Sequence, residues 1–329
     1  MLRLRHLFDN QALAEMLVKN WDYDEASLEL FQHFRISANA TYPFRINGEV
    51  CFLRCCPGPE KYQEQLIAEL DFINYLRGLG YPALEPLPSK TGELLLHKQT
   101  PWGDHFASAF KQVKGKQISA SGYADGIILA YATSLGQLHA LSATYPTPTP
   151  RRWTHLQVFD WIAATLKSLP HDRQALNELG MLKEYFSRLP IHSAIYGLVH
   201  YDFETDNVFY DEASGACSVI DFDDAMYHWY MMDVVQALDS LQKDLSKQAY
   251  AQKKAIFMSA YSSQFAIDDD LLAAMPVLRR FANIYRYTRI RRSLQEHWDN
   301  EPGWMVELRQ KLAIELKNDS ASFGRPIPL

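Results

Sequence analysis

Between Tyr196 and Asp233 the chain reads YGLVHYDFETDNVFYDEASGACSVIDFDDAMYHWYMMD, and a histidine and three oxygen-bearing side chains stand there at spacings suited to chemistry on a bound cation. An apolar run leads into His200-Tyr201-Asp202, Asn207 comes five residues after Asp202, and Asp221 fourteen residues after Asn207. The sequence between them reads as a hairpin: Val208-Phe209-Tyr210 is strand-like, Asp211 to Gly215 is turn-forming, and Ser218-Val219-Ile220 leads back to Asp221. Such a hairpin carries Asp202 and Asn207 on its entering loop and Asp221 at its exit, so the three side chains converge. Two carboxylates and an amide are hard oxygen donors of the kind Mg²⁺ takes, and Mg²⁺ completes its shell with water and nucleotide phosphates. Turn capping accounts for a single Asp or Asn, but not for all four residues at these spacings with apolar strands between them.

The elements that must hold this hairpin follow from periodicity and punctuation. Asp9 or Asn10 is placed to cap a helix running to Lys19, and Asp24 to Phe31 reads as a second helix. Strands are expected over Phe34 to Ser37, Tyr42 to Ile46 and Val50 to Cys55, the last two joined by Asn47-Gly48, the dipeptide that most favours a tight hairpin. A helix from Lys61 to Leu79 ends at Gly80, and a Pro-rich stretch to Pro88 leads to a turn at Thr91-Gly92 and the apolar Leu94 to Leu96. Further helices are expected over Ala124 to Ser142, Thr154 to Leu166 and Arg173 to Leu189, with a Pro-rich linker, Thr144 to Trp153, after the first. Past the hairpin, Ala225 to Leu241 reads as a buried helical stretch. A last helix, Leu271 to Trp298, interleaves Arg279, Arg280, Arg286, Arg289, Arg291 and Arg292 with aromatic residues. Its arginines read as a solvated basic face, with an anion-accepting pocket as the alternative.

Composition narrows the function classes. With 329 residues and 47% apolar content the chain can build a real core. No run of eighteen apolar residues occurs, and the charged start MLRLRHLF is unlike a secretory segment, so no membrane span, no export and a cytoplasmic location are expected. A formal charge of −6 argues against nucleic-acid binding and leaves cationic substrates open. Cys51, Cys55, Cys56 and Cys217 lack the paired spacing of a zinc site and are expected as buried thiols.

The pattern His-x-Asp-x-x-x-x-Asn followed by Asp-Phe-Asp resembles the catalytic and metal loops of the protein-kinase-like fold. His-Tyr-Asp (200–202) and Asp-Phe-Asp (221–223) are closer to the aminoglycoside phosphotransferase and choline kinase family than to protein kinases. That resemblance implies an α+β, two-lobed fold: a small antiparallel-sheet nucleotide-binding lobe over 1–96, a hinge over 97–103, and a mostly helical catalytic and substrate lobe over 104–329. It also implies γ-phosphoryl transfer from ATP to a hydroxyl, with Asp202 taking or orienting the acceptor proton and Asn207 and Asp221 holding Mg²⁺. Arg54, on the third strand, would touch the phosphates. Glu69 is its expected partner, because a carboxylate among Leu66, Leu70 and Ile73 needs one.

Other positions follow from the same resemblance. The turn Ser37 to Thr41 falls where the family covers the phosphates. It lacks glycine, and a plain hairpin turn reads as well as a phosphate-covering loop. Lys98 and Thr100 are placed by position at a hinge that would read adenine. Asp233 resembles the family's buried support for the catalytic loop, and His139 reads as a packing residue. About ten residues separate Asp221 from Met231 and no Ala-Pro-Glu follows, which leaves no peptide platform and points to a small hydroxylated acceptor, in the manner of aminoglycosides, choline or homoserine. Asp223, Asp224, His228 and Arg286 are the candidate acceptor contacts, with a lean towards an amine. Two alternatives stand beside this reading: a Ser/Thr protein kinase of the bacterial stress-response type, which shares the run Phe222 to Ala225, and a non-catalytic nucleotide-binding module. The sequence says nothing of oligomeric state.

Overall fold

The computed structural model describes residues 1–146 and 151–327. Asn10 caps α1 (Gln11–Val18) by accepting the Leu13 amide at 3.0 Å, and Leu13, Leu17 and Val18 turn its apolar side inward. The second expected helix is a 3-10 stretch, Glu25–His33. Strands β1 (Arg35–Ile36), β2 (Ala40–Ile46) and β3 (Glu49–Pro57) form an antiparallel ladder. Between β2 and β3, Asn47 and Gly48 both take positive φ (52° and 81°), as a two-residue hairpin turn of this twist requires. Asp24 accepts both of their amides at 3.0 and 2.8 Å. Helix α2 (Gln63–Gly78) follows, then β4 (Pro86–Leu87), β5 (Leu96–Thr100) and β6 (Gly103–Lys111). The sheet order is β1-β2-β3-β6-β4, with β5 also on β6.

This sheet overturns the expected hinge. Residues 97–103 are a hairpin of the sheet, in which Leu96 pairs with Ala107 and Thr100 with Gly103. The small lobe therefore runs to Lys111, and the chain crosses between the lobes at 112–115. The run His97-Lys98-Gln99-Thr100 looks like a loop because it lies on an edge strand whose alternate residues face water. Lys98 and Thr100 thus belong to the hairpin, where the Thr100 hydroxyl donates to the Gly103 carbonyl at 2.7 Å and accepts the Trp102 amide at 3.1 Å.

The crossing packs hard against the large lobe. A Cβ on Gly115, whose φ is 95°, would lie 2.3 Å from the Tyr210 carbonyl oxygen, so only glycine fits. Strand β7 (Lys116–Gln117) comes next, followed by the helices α3 (Asp125–Ser142), α4 (His155–Ser168) and α5 (Arg173–Phe186). Thr154 and Gln157 cap α4 as a reciprocal box, and Asp172 caps α5. Of the expected linker Thr144 to Trp153, residues 147–150 lie outside the described residues. Then come β8 (Tyr196–Val199), β9 (Val208–Asp211), β10 (Ala216–Val219) and β11 (Met226–Trp229), and finally α6 (Met231–Asp244), α7 (Lys247–Ser262), α8 (Asp269–Ser293) and α9 (Gly303–Ser320).

Strands β7, β9 and β10 make one small sheet, and β8 with β11 another. Here a second expectation fails. The helical stretch begins at Met231, not Ala225, because Met226–Trp229 pairs antiparallel with β8. An apolar, aromatic run this short does not distinguish helix from strand by periodicity, and the exposed edge of β8 decides it.

One apolar core spans α2 through α8 and the strands beneath them, and a smaller one joins α1 to the small-lobe sheet. All four cysteines are buried and unbridged. Among the described residues no helix is long and apolar enough to cross a membrane.

Candidate active site

The two small sheets fasten the candidate residues to neighbouring rungs. Val199 pairs with Met226, and Val208 with Val219. The His200-to-Asp202 loop leaves from the first rung, Asn207 immediately precedes the second, and Asp221 follows β10 one residue later. The Ile220 amide closes the gap between these strand ends by donating to the Asn207 carbonyl at 3.0 Å.

Beneath the loop sits Asp233, wholly buried at the start of α6. Its Oδ1 accepts the Tyr201 amide at 2.7 Å, and its Oδ2 accepts the His200 amide at 2.8 Å and lies 3.0 Å from His139 Nε2. The other His139 nitrogen meets the Tyr261 hydroxyl at 2.7 Å. Tyr201 is left-handed (φ 66°), a conformation costly for an aromatic residue, and the double grip of Asp233 on the two amides compensates it. His200 links the two candidate segments: its Nδ1 accepts the Asp202 amide at 3.1 Å, which leaves Nε2–H to donate to the Ile220 carbonyl at 2.9 Å. Burial lowers its pKa, consistent with a neutral ring that serves as a brace.

The Asp202 carboxylate accepts from Asn207 Nδ2 at 2.8 Å, and the same nitrogen donates to the Asp202 carbonyl at 3.0 Å. With its amide hydrogens committed to Asp202, Asn207 has its side-chain oxygen free to ligate. Asp221 is also left-handed (φ 63°). Burial and the neighbouring Asp223 charge push Asp221 up to about 6, while burial and Asp221 push Asp202 well above the ordinary carboxylate range. Carboxylates so placed repel one another, and a cation between them relieves the repulsion. Among the described residues no group of three or more His, Cys, Asp and Glu side chains gathers at one point. A cation at Asn207 and Asp221 would accordingly draw most of its shell from water and ligand oxygens, which suits Mg²⁺.

Across from these residues, Arg54 of β3 makes a bidentate pair with Glu69 of α2, at 2.7 and 3.0 Å, and lies 4.7 Å over the Phe110 ring. Glu64, the other carboxylate within reach by spacing, is exposed. Ser37 is exposed too, and its backbone is occupied: the amide donates to the Asn39 carbonyl, and its own carbonyl accepts the Leu2 amide, both at 3.0 Å.

The expected acceptor contacts divide. Asp223 and Asp224 line a cavity of about 340 Å³ between the lobes, but neither carboxylate is free. Asp223 is bound by Lys61, and despite burial Lys61 and Arg54 hold its pKa well below the usual range. Asp224 accepts from Arg289 at 2.6 Å and, against burial, is likewise lowered. His228 does not reach the cavity. It is wholly buried against Phe281, Phe186 and Trp229, and burial drives its pKa far down. Arg286 pairs with Asp319 of α9 and stands outside the cavity lining.

Nor, Arg286 apart, is the arginine run of α8 a solvated face. Arg280 is buried on Glu178, Arg279 pairs with Asp239 and Arg291 with Asp172, while Arg289 and Arg292 line the cavity. Each side chain found a carboxylate from a distant element, and one sequence does not reveal such pairings.

Arg152 lay outside every motif. It is buried, and it donates to the carbonyls of Gln65 (2.8 Å), Asp223 (2.5 Å) and Ala225 (2.6 Å). It thereby ties the start of α2 to the turn after Asp221. Nothing local to Arg151-Arg152-Trp153 signals this, since its partners are backbone groups far away in the chain.

The sequence model of the phosphotransferase enzyme family matches residues 36–262. Amicoumacin kinase of Bacillus subtilis (strain 168) is 23% identical over 202 residues, covering 60% of this chain and 58% of that protein, so the match spans less than two thirds of the relative. Among solved structures, an amicoumacin kinase in complex with AMP-PNP, Ca²⁺ and Ami superposes with a TM-score of 0.77 at 18% identity, covering 98% of this chain and 96% of that one. A microcompartment-associated aminopropanol kinase gives 0.66 at 16% identity, covering 95% and 96%. Spectinomycin phosphotransferase with ADP and spectinomycin gives 0.59 at 12%, covering 94% of each. At these identities the likeness establishes the fold, the two-lobed α+β architecture expected from the sequence.

Proposed function

The chain belongs to the phosphotransferase enzyme family, and from that premise we propose that it transfers the γ-phosphoryl group of ATP to a hydroxyl of a small molecule. The observation that carries this reading is the convergence of Asp202, Asn207 and Asp221 on two adjacent strand rungs, opposite the Arg54–Glu69 pair. Asp202 receives the proton of the acceptor hydroxyl as the acceptor oxygen bonds to the γ-phosphorus and the bond from that phosphorus to the departing ADP breaks, and a raised pKa makes it a stronger base for that step. Asn207, through its oxygen, and Asp221 would hold Mg²⁺, which when bound supplies charge neutralisation along the phosphate oxygens. Arg54, oriented by Glu69, presents a fixed positive charge to the phosphates from the small lobe. Adenine recognition falls to the backbone of the 112–115 crossing, taking the place of the Lys98 and Thr100 assignment. ATP as donor and the absence of a membrane-crossing helix among the described residues fit work in the cytoplasm.

A small acceptor is favoured over a protein because the residues between Asp221 and α6 are consumed by a 3-10 turn and β11, with no span left to seat a peptide. The relatives named for amicoumacin and aminopropanol support the same size class. The test is ADP release from Mg·ATP across a panel of hydroxylated metabolites and antibiotics, run beside labelled ATP with a cell extract. Acceptor-stimulated release is expected, and label entering protein alone would refute the proposal.

A further inference from the structure

Two arginines at the cavity spend fewer hydrogen bonds on their carboxylates than the buried forked pairs do. Arg280 commits two nitrogens to Glu178 (2.7 and 2.6 Å), and Arg54 two to Glu69, each as a bidentate fork. Arg289 gives Asp224 one bond, at 2.6 Å, and Arg292 gives Glu60 one, at 2.7 Å. Each guanidinium keeps donors in hand. The two stand three residues apart on α8 and so share a face, with Tyr285 one turn earlier and its ring 5.2 Å from the Arg289 guanidinium. All three line the cavity, and Lys61 enters it from the segment before α2.

The side chains of Lys61, Arg289 and Arg292 are 18, 20 and 18% exposed, whereas those of Glu60 and Asp223 are 1 and 4%. A molecule entering here therefore meets Lys61, Arg289 and Arg292 with unspent donors beside Asp224, whose side chain is 21% exposed, while Glu60 and Asp223 lie behind them. Planar guanidinium groups in that state match a carboxylate. The same facts weaken the lean towards an amine, which rests on the charge of −6 and on the acids nearest the catalytic loop, because Lys61 and Arg289 already hold those acids.

We propose that the acceptor carries a carboxylate at the end away from its reacting hydroxyl, as a hydroxy acid or hydroxy amino acid does, and that Arg289, Arg292 and Lys61 bind that carboxylate. The proposal rests on the phosphotransferase reading for which end reacts. Carboxylate binding needs no turnover, and Trp153 and Trp161 in the cavity wall report it by their fluorescence.

Three compounds share a terminal hydroxyethyl group and differ in charge: 4-hydroxybutyrate, L-homoserine and 3-amino-1-propanol. Each is titrated into the full chain with Mg·AMP-PNP while tryptophan emission is followed. The two carboxylates should half-saturate at concentrations at least tenfold below the amino alcohol. Equal or tighter binding of 3-amino-1-propanol overturns the proposal, as does no response to any of the three up to about 10 mM, the weak end of specific affinity. In Arg292→Gln, Glu60 keeps Arg3 and His6 at 3.5 and 3.4 Å, which protects the fold. That variant should weaken both carboxylates tenfold or more and shift the amino alcohol less than twofold. Arg289→Gln, which frees Asp224, should reverse the order of preference. Equal losses for all three compounds in both variants would overturn the assignment. Absence of ADP release with the binding order intact would strike the phosphotransferase reading alone.

Discussion

Glu69 is the place to separate what the small lobe needs for stability from what it contributes to the reaction. Its carboxylate is fully buried and its bidentate partner Arg54 has a side chain only 10% exposed, so Glu69→Ala leaves a nearly dry guanidinium uncompensated. Breaking one half of such a pair costs about 3–5 kcal/mol, a large share of the ~5–15 kcal/mol that holds a domain together. Arg54 also feels Asp223 and Asp221, which gives the orphaned charge some compensation and puts the expected loss near the lower figure, ~3 kcal/mol. Replacing both partners by apolar side chains of similar volume, Arg54→Met with Glu69→Leu, removes the buried charges together and should restore stability to within ~1 kcal/mol of the native chain. The double variant nevertheless lacks the cation proposed to face the phosphates, and its kcat/KM for Mg·ATP should fall by about 10²–10³, the scale of a lost electrostatic donor. Denaturant unfolding with linear extrapolation reads the first quantity and ADP release the second. A double variant as unstable as Glu69→Ala would show that unpaired charge is not the source of the cost. One with native kcat/KM would remove Arg54 from the phosphate site.

Asp202→Asn keeps the shape and the contact with Asn207 while removing the base, so turnover should drop roughly 10²-fold or more with nucleotide binding near native; equal losses of both would make Asp202 structural. Asp221→Ala should abolish the Mg²⁺ dependence of ATP affinity and leave the fold intact, and unchanged Mg²⁺-dependent binding by calorimetry would refute the metal assignment. His155 is buried beside β8, and burial lowers its pKa from 6.5 to about 4. The unfolded chain then takes up the proton first, so stability is full above 6.5 and falls as pH drops towards 4, by up to ~3 kcal/mol. Acid unfolding of His155→Phe should be shallower over that window, and an identical slope would exclude His155 as a cause.

The hairpin from Tyr196 to Asp233 was legible because its chemistry is local: strand, turn and strand lie in consecutive residues, and the side chains that converge sit at their ends. Arg54 and Glu69 could be paired across fifteen residues because Glu69, unlike Glu64, stands among apolar residues where a carboxylate needs a partner. What failed depended on partners elsewhere in the chain. The edge strand Leu96–Thr100 looked like a hinge because only β6 makes it a strand, and Met226–Trp229 looked helical because only β8 makes it one. The neighbours of His228 in sequence suggest an accessible side chain, whereas α5 and α8 bury it. The arginines of α8 were read as solvated, and the acids that claim them come from the turn after Asp221, from α5, α6 and α9, and from the segment before α2.

The rungs Val199–Met226 and Val208–Val219 have a consequence for timing. The proposed proton acceptor Asp202 and the two side chains proposed to hold the cation, Asn207 and Asp221, hang from two short ladders that belong entirely to the large lobe, braced by His200 and Asp233, whereas Arg54 arrives on the small-lobe sheet. If the lobes open to exchange nucleotide, the spacing among Asp202, Asn207 and Asp221 travels unchanged, and only the distance from these three to Arg54 varies. On the proposed roles, the reacting geometry would then stay assembled while one charge at the donor's phosphates varies, so that arrival of the nucleotide, not reconstruction of the base, would decide when transfer becomes possible.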